Sequence, residues 1–187
     1  MSKKKFLTIC TLVIAFALLG ILPASANAVK TPYTATATMC ECGLLTPGSF
    51  TYWIEGGVEH YRNVKNLQYI YSAEEPRVRG FQSAVLNWNY NTKTGSGEIW
   101  GTFTHDVESG GTWRGTVNGK INEFGLVSEG IGIAKGYGEL DGLLVKATLY
   151  EDTAIDLTGV PLDECPLAPI WPAQVRTSAV IIDTTGQ

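Results

Sequence analysis

The sequence predicts an all-β protein that forms a single antiparallel β-barrel of about eight strands in a meander. Residues 95–150 consist of short runs rich in β-branched and aromatic residues, and each run ends in Gly, Asn, Asp or Ser. Within these runs side chains alternate with a period of two, and no run shows a helical period. Glycines inside the runs would weaken a flat sheet, but they allow a sheet to bend and close. The glycines in question are Gly97, Gly101, Gly115, Gly132, Gly136 and Gly138.

The first 28 residues differ in kind from the rest of the chain. A basic start, Lys3–Lys5, precedes an almost wholly apolar run, Phe6–Leu22, which ends at Pro23. The small residues of Ala24–Ala28 then offer a site for a signal peptidase, so residues 1–28 are predicted to be a cleaved signal peptide. The alternative is an uncleaved membrane anchor, because about 17 apolar residues approach the lower limit for a spanning helix.

The charge of the remaining domain, residues 29–187, limits its partners. Removing three lysines with the signal peptide changes the net charge from −4 to −7, because 11 basic residues remain against 18 acidic ones. An acidic chain with scattered arginines has no basic stripe for nucleic acid or anionic lipid. No second apolar run of spanning length follows. We therefore expect a secreted protein, extracellular or periplasmic, with neither nucleic acid nor membrane as a partner after cleavage.

The first half of this domain contains strand signals separated by turn residues. Residues 33–39 alternate small and polar side chains, and residues 49–55 alternate aromatic or aliphatic side chains with others. Gly, Pro and Ser residues between them indicate a turn, and a Gly-Gly pair follows the second strand. Residues 58–63 and 66–72 continue the sheet. Residues 77–90 are predicted to form one long strand with a bulge near its start.

The second half repeats the pattern as hairpins. An Asn-Thr-Lys-Thr-Gly loop has the length of a hairpin connection and leads into the strand 97–105. A Glu-Ser-Gly-Gly turn then leads into the strand 112–121. Two further strands are predicted at residues 126–135 and 142–151, and the last at residues 174–183.

Three cysteines remain after the predicted cleavage. Residues 157–172 contain four prolines and no strand pattern, which indicates an ordered loop held by Cys165. Cysteines pair by default in an oxidising compartment. Cys40 and Cys42 are too close to pair without strain, so Cys165 is predicted to pair with one of them. The closed loop of roughly 125 residues would contribute about 4–5 kcal/mol. A metal site on all three thiolates would need a fourth ligand that the sequence does not indicate, so neither a metal nor a cofactor is predicted.

Residues 130–150, GIGIAKGYGELDGLLVKATLY, resemble the strand–glycine–strand signature of the allene-oxide-cyclase-like barrels. In those families a G-x-G-x-[AF]-x-G-x-G-x-L element precedes a strand. The resemblance implies a calycin-like, eight-stranded antiparallel barrel with a central apolar cavity. Some members of that superfamily cyclise or orient reactive hydrophobic substrates, and many have no assigned activity. The matching residues are Gly130, Gly132, Ala134, Gly136, Gly138 and Leu140.

Three residues are candidates for acid–base chemistry. His105, followed by Asp106, could act at a strand end as a general acid or base, although a histidine beside a turn is more often simply solvated. Glu98 and Glu139 each lie in a glycine-rich strand. A glutamate that pointed into an apolar barrel would have a raised pKa and could hold a polar group of a ligand. A carboxylate on the outer, solvated face is the more common arrangement.

Five aromatic residues are candidates for a ligand site. Trp88, Trp100 and Trp113 fall on three consecutive strands, together with Tyr90 and Tyr137. Their rings either fill the barrel, which is the more common case, or line a cavity for an apolar molecule.

The preferred interpretation is a barrel that binds a small hydrophobic molecule and could steer its reaction, as a cyclase or isomerase does, by confinement without a cofactor. One alternative is a non-enzymatic structural domain with a filled core, which contacts a protein or a glycan through its surface. Another is a hydrolase that uses His105 with Glu98 or Asp106.

Overall fold

The computed structural model describes residues 28–42, 48–122, 127–151 and 174–185. These residues form nine strands and two single-turn 3₁₀ helices, Pro76–Val78 and Gly138–Leu140. The strands are β1 (Val29–Cys42), β2 (Thr51–Glu55), β3 (Val58–Tyr71), β4 (Gly80–Asn91), β5 (Ser96–Val107), β6 (Thr112–Ile121), β7 (Val127–Tyr137), β8 (Leu143–Glu151) and β9 (Gln174–Asp183).

Eight of these strands close into a ring, and the ninth extends the sheet beyond it. The strand order is β1-β9-β8-β7-β6-β5-β4-β3-β2, and a further pairing between β1 and β3 closes the ring. Every pairing is antiparallel. The long strand β3 pairs with β1 through residues 66–71 and with β2 through residues 58–62. The predicted antiparallel barrel is therefore confirmed, with eight strands in the ring and β2 as an additional edge strand.

The two predicted segments 58–63 and 66–72 form one continuous strand with a bulge. The register between β3 and β4 shifts between Tyr61 and Val64. Asn63 has a positive φ of 61°, a conformation that asparagine tolerates better than most residues. Its backbone N–H donates to the Asn87 side chain at 3.0 Å. The bulge therefore lies on β3, whereas the sequence predicted one near the start of β4.

The predicted strand 77–90 is wrong at its start. Pro76–Val78 form a 3₁₀ turn, because the carboxylate of Glu75 accepts a hydrogen bond from the backbone N–H of Arg77 at 3.1 Å. Proline at the first position of this turn has no N–H to leave unsatisfied. The strand β4 begins only at Gly80.

The barrel has two unlike ends. We call one the closed end, where Val78 and Leu140 from the two 3₁₀ turns pack with Trp113 and Ile181 into one buried cluster. We call the other the hairpin end, where the β2–β3 hairpin extends past the ring. Small side chains occupy much of the interior between them, which leaves room inside the ring. These inward residues include Ala35, Ala37, Ala84, Ala134, Ala147 and Ala179.

Close approach of neighbouring strands accounts for one of the predicted glycine positions. A Cβ atom on Gly115 would lie 2.2 Å from the carbonyl oxygen of Ile133 and 2.7 Å from the ring of Phe103. No side chain fits there, so the glycine allows the sheet to curve tightly around Phe103.

Several predictions fall on residues that the structure does not describe. The signal peptide lies outside the described residues except for Ala28, and the proline-rich loop 157–172 with Cys165 lies outside them entirely. The side chain of Cys42 is not described either, while Cys40 is buried. The disulfide between Cys165 and Cys40 or Cys42 therefore stays a prediction. Within the described ranges, no helix has the length and apolar character needed to cross a membrane.

Candidate interior binding site

The barrel encloses a cavity of about 130 Å³ that is lined mostly by apolar side chains. Its lining comes from the inward positions of β1 and β3–β9 and from Val78 of the first 3₁₀ turn. Representative lining residues are Ala84, Leu86, Ile99, Phe103, Val117 and Ala147.

A short polar row crosses this lining on three neighbouring strands. Gln68 of β3 lies opposite Gln82 of β4, and Gln82 lies opposite His105 of β5. The amide of Gln82 donates to the side-chain oxygen of Gln68 at 3.3 Å. All three side chains line the cavity. The row therefore gives one wall of an otherwise apolar space its hydrogen-bonding capacity.

In this row, His105 has a ring nitrogen whose hydrogen-bonding capacity is unused. Its side chain is only 4% exposed, and its Nε2 has no hydrogen-bond partner among the described residues. Burial lowers the pKa of His105 to about 4, an effect that the nearby charge of Asp106 partly opposes. The imidazole is therefore neutral at physiological pH, and Nε2 can donate or accept one hydrogen bond depending on the tautomer.

His105 is thus not the solvated strand-end residue that was considered the more common case. The alternation of β5 turns it inward, and it lies opposite Trp113 of β6. Asp106 occupies the next position on the strand and is exposed. Its carboxylate accepts a hydrogen bond from the Thr112 hydroxyl at 3.0 Å. The structure therefore does not bring Asp106 into the cavity beside His105.

Of the five aromatic candidates, Trp113 lines the cavity itself. Its ring is 2% exposed at the closed end, and its Nε1 donates to the backbone carbonyl of Arg77 at 2.8 Å. That hydrogen bond satisfies the polar atom of the indole and ties β6 to the turn before β4.

Trp88 and Tyr90 occupy the inward register of β4, but beyond the cavity toward the hairpin end. Trp88 lies opposite Ile99, which lines the cavity, and its ring stacks on that of Tyr61 with centres 4.7 Å apart. Tyr52 packs on the same Tyr61 ring at 4.8 Å. Trp88 therefore belongs to an aromatic group next to the cavity, and not to its lining.

The other two aromatic candidates lie on the outer face of the sheet. The guanidinium of Arg62 lies 4.8 Å from the ring centre of Trp100. Tyr137 is 41% exposed, and Arg114 and Lys135 lie over its ring at 5.1 and 5.6 Å. Neither ring lines the interior cavity.

The two glutamate candidates also lie outside. Glu98 is exposed on the outer face of β5, opposite Lys120 of β6. Glu139 is exposed in the 3₁₀ turn Gly138–Leu140, and not in a strand. Neither carboxylate lines the interior cavity, so neither is placed to act on a guest inside the barrel.

The sequence analysis missed the two glutamines of the polar row. Gln82 precedes Ala84 and Leu86 at alternating positions, so the period of β4 alone assigns it to the inner face. A polar residue on an otherwise apolar face was the available signal. Gln68 could be assigned only once its pairing with Gln82 was known, because the bulge at Asn63 breaks the alternation of β3.

Within the described parts of the chain, no group of three or more His, Cys, Asp and Glu residues is placed to hold a metal ion. Comparison with known proteins gave no match, whether to family models, to curated proteins or to solved structures.

Proposed function

We propose that the barrel binds a small, neutral, mainly apolar molecule with one hydrogen-bonding group, and that His105 recognises that group. The observation that carries the proposal is the unpartnered Nε2 of a fully buried imidazole at an apolar cavity. Leaving a buried polar atom unsatisfied costs about 1–3 kcal/mol. A guest that supplies the missing hydrogen bond recovers part of this free energy, about 0.5–1.5 kcal/mol net.

The cavity volume limits the size of the guest. An engineered apolar cavity of about 150 Å³ holds benzene, so a cavity of about 130 Å³ suits a molecule of roughly six to eight non-hydrogen atoms. The hydrogen-bonding group would face Gln82 and His105, and the rest would contact alanine, leucine and phenylalanine side chains. Phenols, small cyclic alcohols and small ketones have this combination of groups.

The charge state of His105 favours a neutral guest. Because burial lowers the pKa of His105 to about 4, the imidazole carries no charge that could attract an anion at neutral pH. A neutral imidazole can also accept a proton, so a cofactor-free isomerisation of the guest is an extension of the same proposal. Membership of the allene-oxide-cyclase-like barrels would agree with it and remains a proposal too.

Two variants and two probes test this function. Phenol and toluene differ by one hydrogen-bonding group, and binding is followed by the fluorescence of Trp113, which lines the cavity, and by the rise in melting temperature. Gly132→Val should be tolerated by the fold, because a Cβ there has ordinary contacts of 3.7 Å to Ala147 and Leu149. It should weaken the binding of both probes, because its added methyl groups occupy the cavity. His105→Leu should weaken the binding of phenol by about threefold to tenfold and leave the binding of toluene unchanged.

A matched control is His60→Leu on β3, a histidine that does not line the cavity. It should bind both probes as the native protein does. Absence of binding by either probe at millimolar concentration would contradict the proposal, as would equal loss of phenol and toluene in His105→Leu.

A further inference from the structure

Four planar side chains form a stack on the outer face of the sheet near the hairpin end. His60 and Trp53 stack with ring centres 4.7 Å apart and planes inclined by 13°. The guanidinium of Arg62 lies 5.0 Å from the ring centre of Trp53 and 4.8 Å from that of Trp100. The order of the stack is therefore His60, Trp53, Arg62 and Trp100, from β2 and β3 across to β5.

Hydrogen bonds hold the middle of this stack in place. Asn89 of β4 accepts from the Nδ1 of His60 at 2.8 Å and from the guanidinium of Arg62 at 2.7 Å. Arg62 also donates to the backbone carbonyls of Tyr61 and Trp88, at 2.7 and 2.8 Å. A guanidinium with three such partners is a fixed part of the sheet surface and presents Trp100 in one orientation.

Trp100 also lines a depression of about 460 Å³. Arg62 approaches the indole from β3, on one side of β5, whereas the depression is lined by β6 and β7 on the other side. Gly119 and Gly130 line it with backbone alone. The side chains around it are Glu98, Trp100, Asn118, Lys120, Glu129 and Ile131.

We propose that this depression binds a neutral carbohydrate, with a sugar ring packed on the indole of Trp100 and its hydroxyl groups bonded to Asn118 and Glu98. A sugar ring has an apolar C–H face and a polar rim, and the depression offers an aromatic plane surrounded by amide, carboxylate and ammonium groups. Depressions of several hundred cubic ångströms accommodate ligands of this size.

The charges around the depression disfavour the other ligands that stack on tryptophan. Glu129 forms an ion pair with Lys120 at 3.4 Å, so the carboxylate of Glu98 leaves the depression with a net negative charge that repels anions such as nucleotides or phosphorylated groups. A cation is disfavoured on the indole because the guanidinium of Arg62 already lies over the same ring. A wholly apolar guest would remove these charged groups from water without compensation. A neutral, polyhydroxylated ring meets none of these penalties.

Affinity electrophoresis of the folded chain tests the proposal. Native protein is run through gels that each contain one soluble neutral polysaccharide: a β-1,3-glucan, a xylan, a galactomannan or a starch. We expect retardation by at least one of them, and at least a tenfold weaker dissociation constant in Trp100→Ala. Trp100→Phe should recover part of the affinity, because it restores an aromatic plane.

Two control variants distinguish binding at this depression from non-specific adsorption and from binding in the interior cavity. Tyr137→Ala removes another exposed aromatic ring of the outer face that does not line the depression, and it should be retarded like the native chain. His105→Leu should also be retarded normally. If Trp100→Ala fails to fold, Asn118→Ala at an exposed position decides the matter in its place. The proposal would be overturned if no gel retarded the native protein. It would also be overturned if Trp100→Ala, or Asn118→Ala where Trp100→Ala does not fold, were retarded as strongly as the native protein.

Discussion

The two ends of the barrel use the same residue types for opposite purposes. At the closed end Trp113 is fully buried among Val78, Leu140 and Ile181, and its only polar atom is bonded to backbone. At the hairpin end the aromatic residues stack on one another on a strand pair that leaves the ring, and Ile54 of β2 is 61% exposed. The indole of Trp113 is thus fully buried at one end, whereas that of Trp88 is only partly buried at the other.

The segment between β3 and β4 explains why one end is closed. The guanidinium of Arg79 donates to the carbonyls of Ser72 and Ala73 at 2.5 and 3.0 Å, and the Glu75 backbone N–H donates to the Ser72 hydroxyl at 3.1 Å. Glu75 and Arg77 form an ion pair of 2.7 Å, and its hydrogen bonds lower the pKa of Glu75. These contacts fix the segment across the end of the barrel.

The largest expected effect is the loss of the tryptophan that fills the closed end. Trp113→Ala should destabilise the protein by about 3–5 kcal/mol, because it leaves a large void and an unpaired Arg77 carbonyl. Trp88→Ala at the hairpin end should cost less than half as much, since that ring is only partly buried. Urea unfolding followed by circular dichroism measures both. Equal losses would show that the two ends are packed alike.

The next effect concerns the buried histidine near the closed end. The pKa of His105 is about 4 in the folded protein and 6.5 when unperturbed, so between these values the unfolded chain binds a proton that the folded chain does not. The contribution of His105 to the free energy of unfolding should be fully present above pH 6.5 and should fall as the pH drops toward 4. The total loss from this group should be about 3 kcal/mol.

The measurement is the free energy of unfolding at several pH values between 4 and 7, in native protein and in His105→Leu. The difference between the two curves isolates His105 from the carboxylates that also titrate near pH 4. A difference that does not change with pH would mean that His105 is not buried as a neutral group.

A smaller effect distinguishes two inward glycines of neighbouring strands. Gly115→Ala should cost about 1–3 kcal/mol, because the new Cβ would lie 2.2 Å from the Ile133 carbonyl. Gly132→Ala should be close to neutral, since its Cβ would have contacts of 3.7 Å or more. Thermal unfolding of the two variants side by side checks this. If both were tolerated equally, the curvature at Phe103 would not depend on Gly115.

Part of the structure follows from the sequence pattern alone. The period of two predicted most of the strands, and along β5 it placed Glu98 and His105 on opposite faces. It did not separate Trp100 from Trp113, because aromatic residues suit either face of a sheet. It did not find the bulge at Asn63 either, which depends on pairing with Asn87 across the ladder. The depth at which His105 lies depends on ring closure, a long-range property.

The smallest expected effect is the coupling energy between two stacked rings at the hairpin end. Tyr61 and Trp88 lie opposite each other on β3 and β4, and their rings stack at 4.7 Å with planes inclined by 19°. A double-mutant cycle with Tyr61→Ala and Trp88→Ala should give a coupling of about 0.5–1.5 kcal/mol, which is the usual size for such an aromatic pair. The control cycle joins Trp88→Ala with Tyr137→Ala, on non-neighbouring strands, and should be additive within about 0.5 kcal/mol. If the first pair were additive as well, the stacked rings would contribute shape to the hairpin end but no stability.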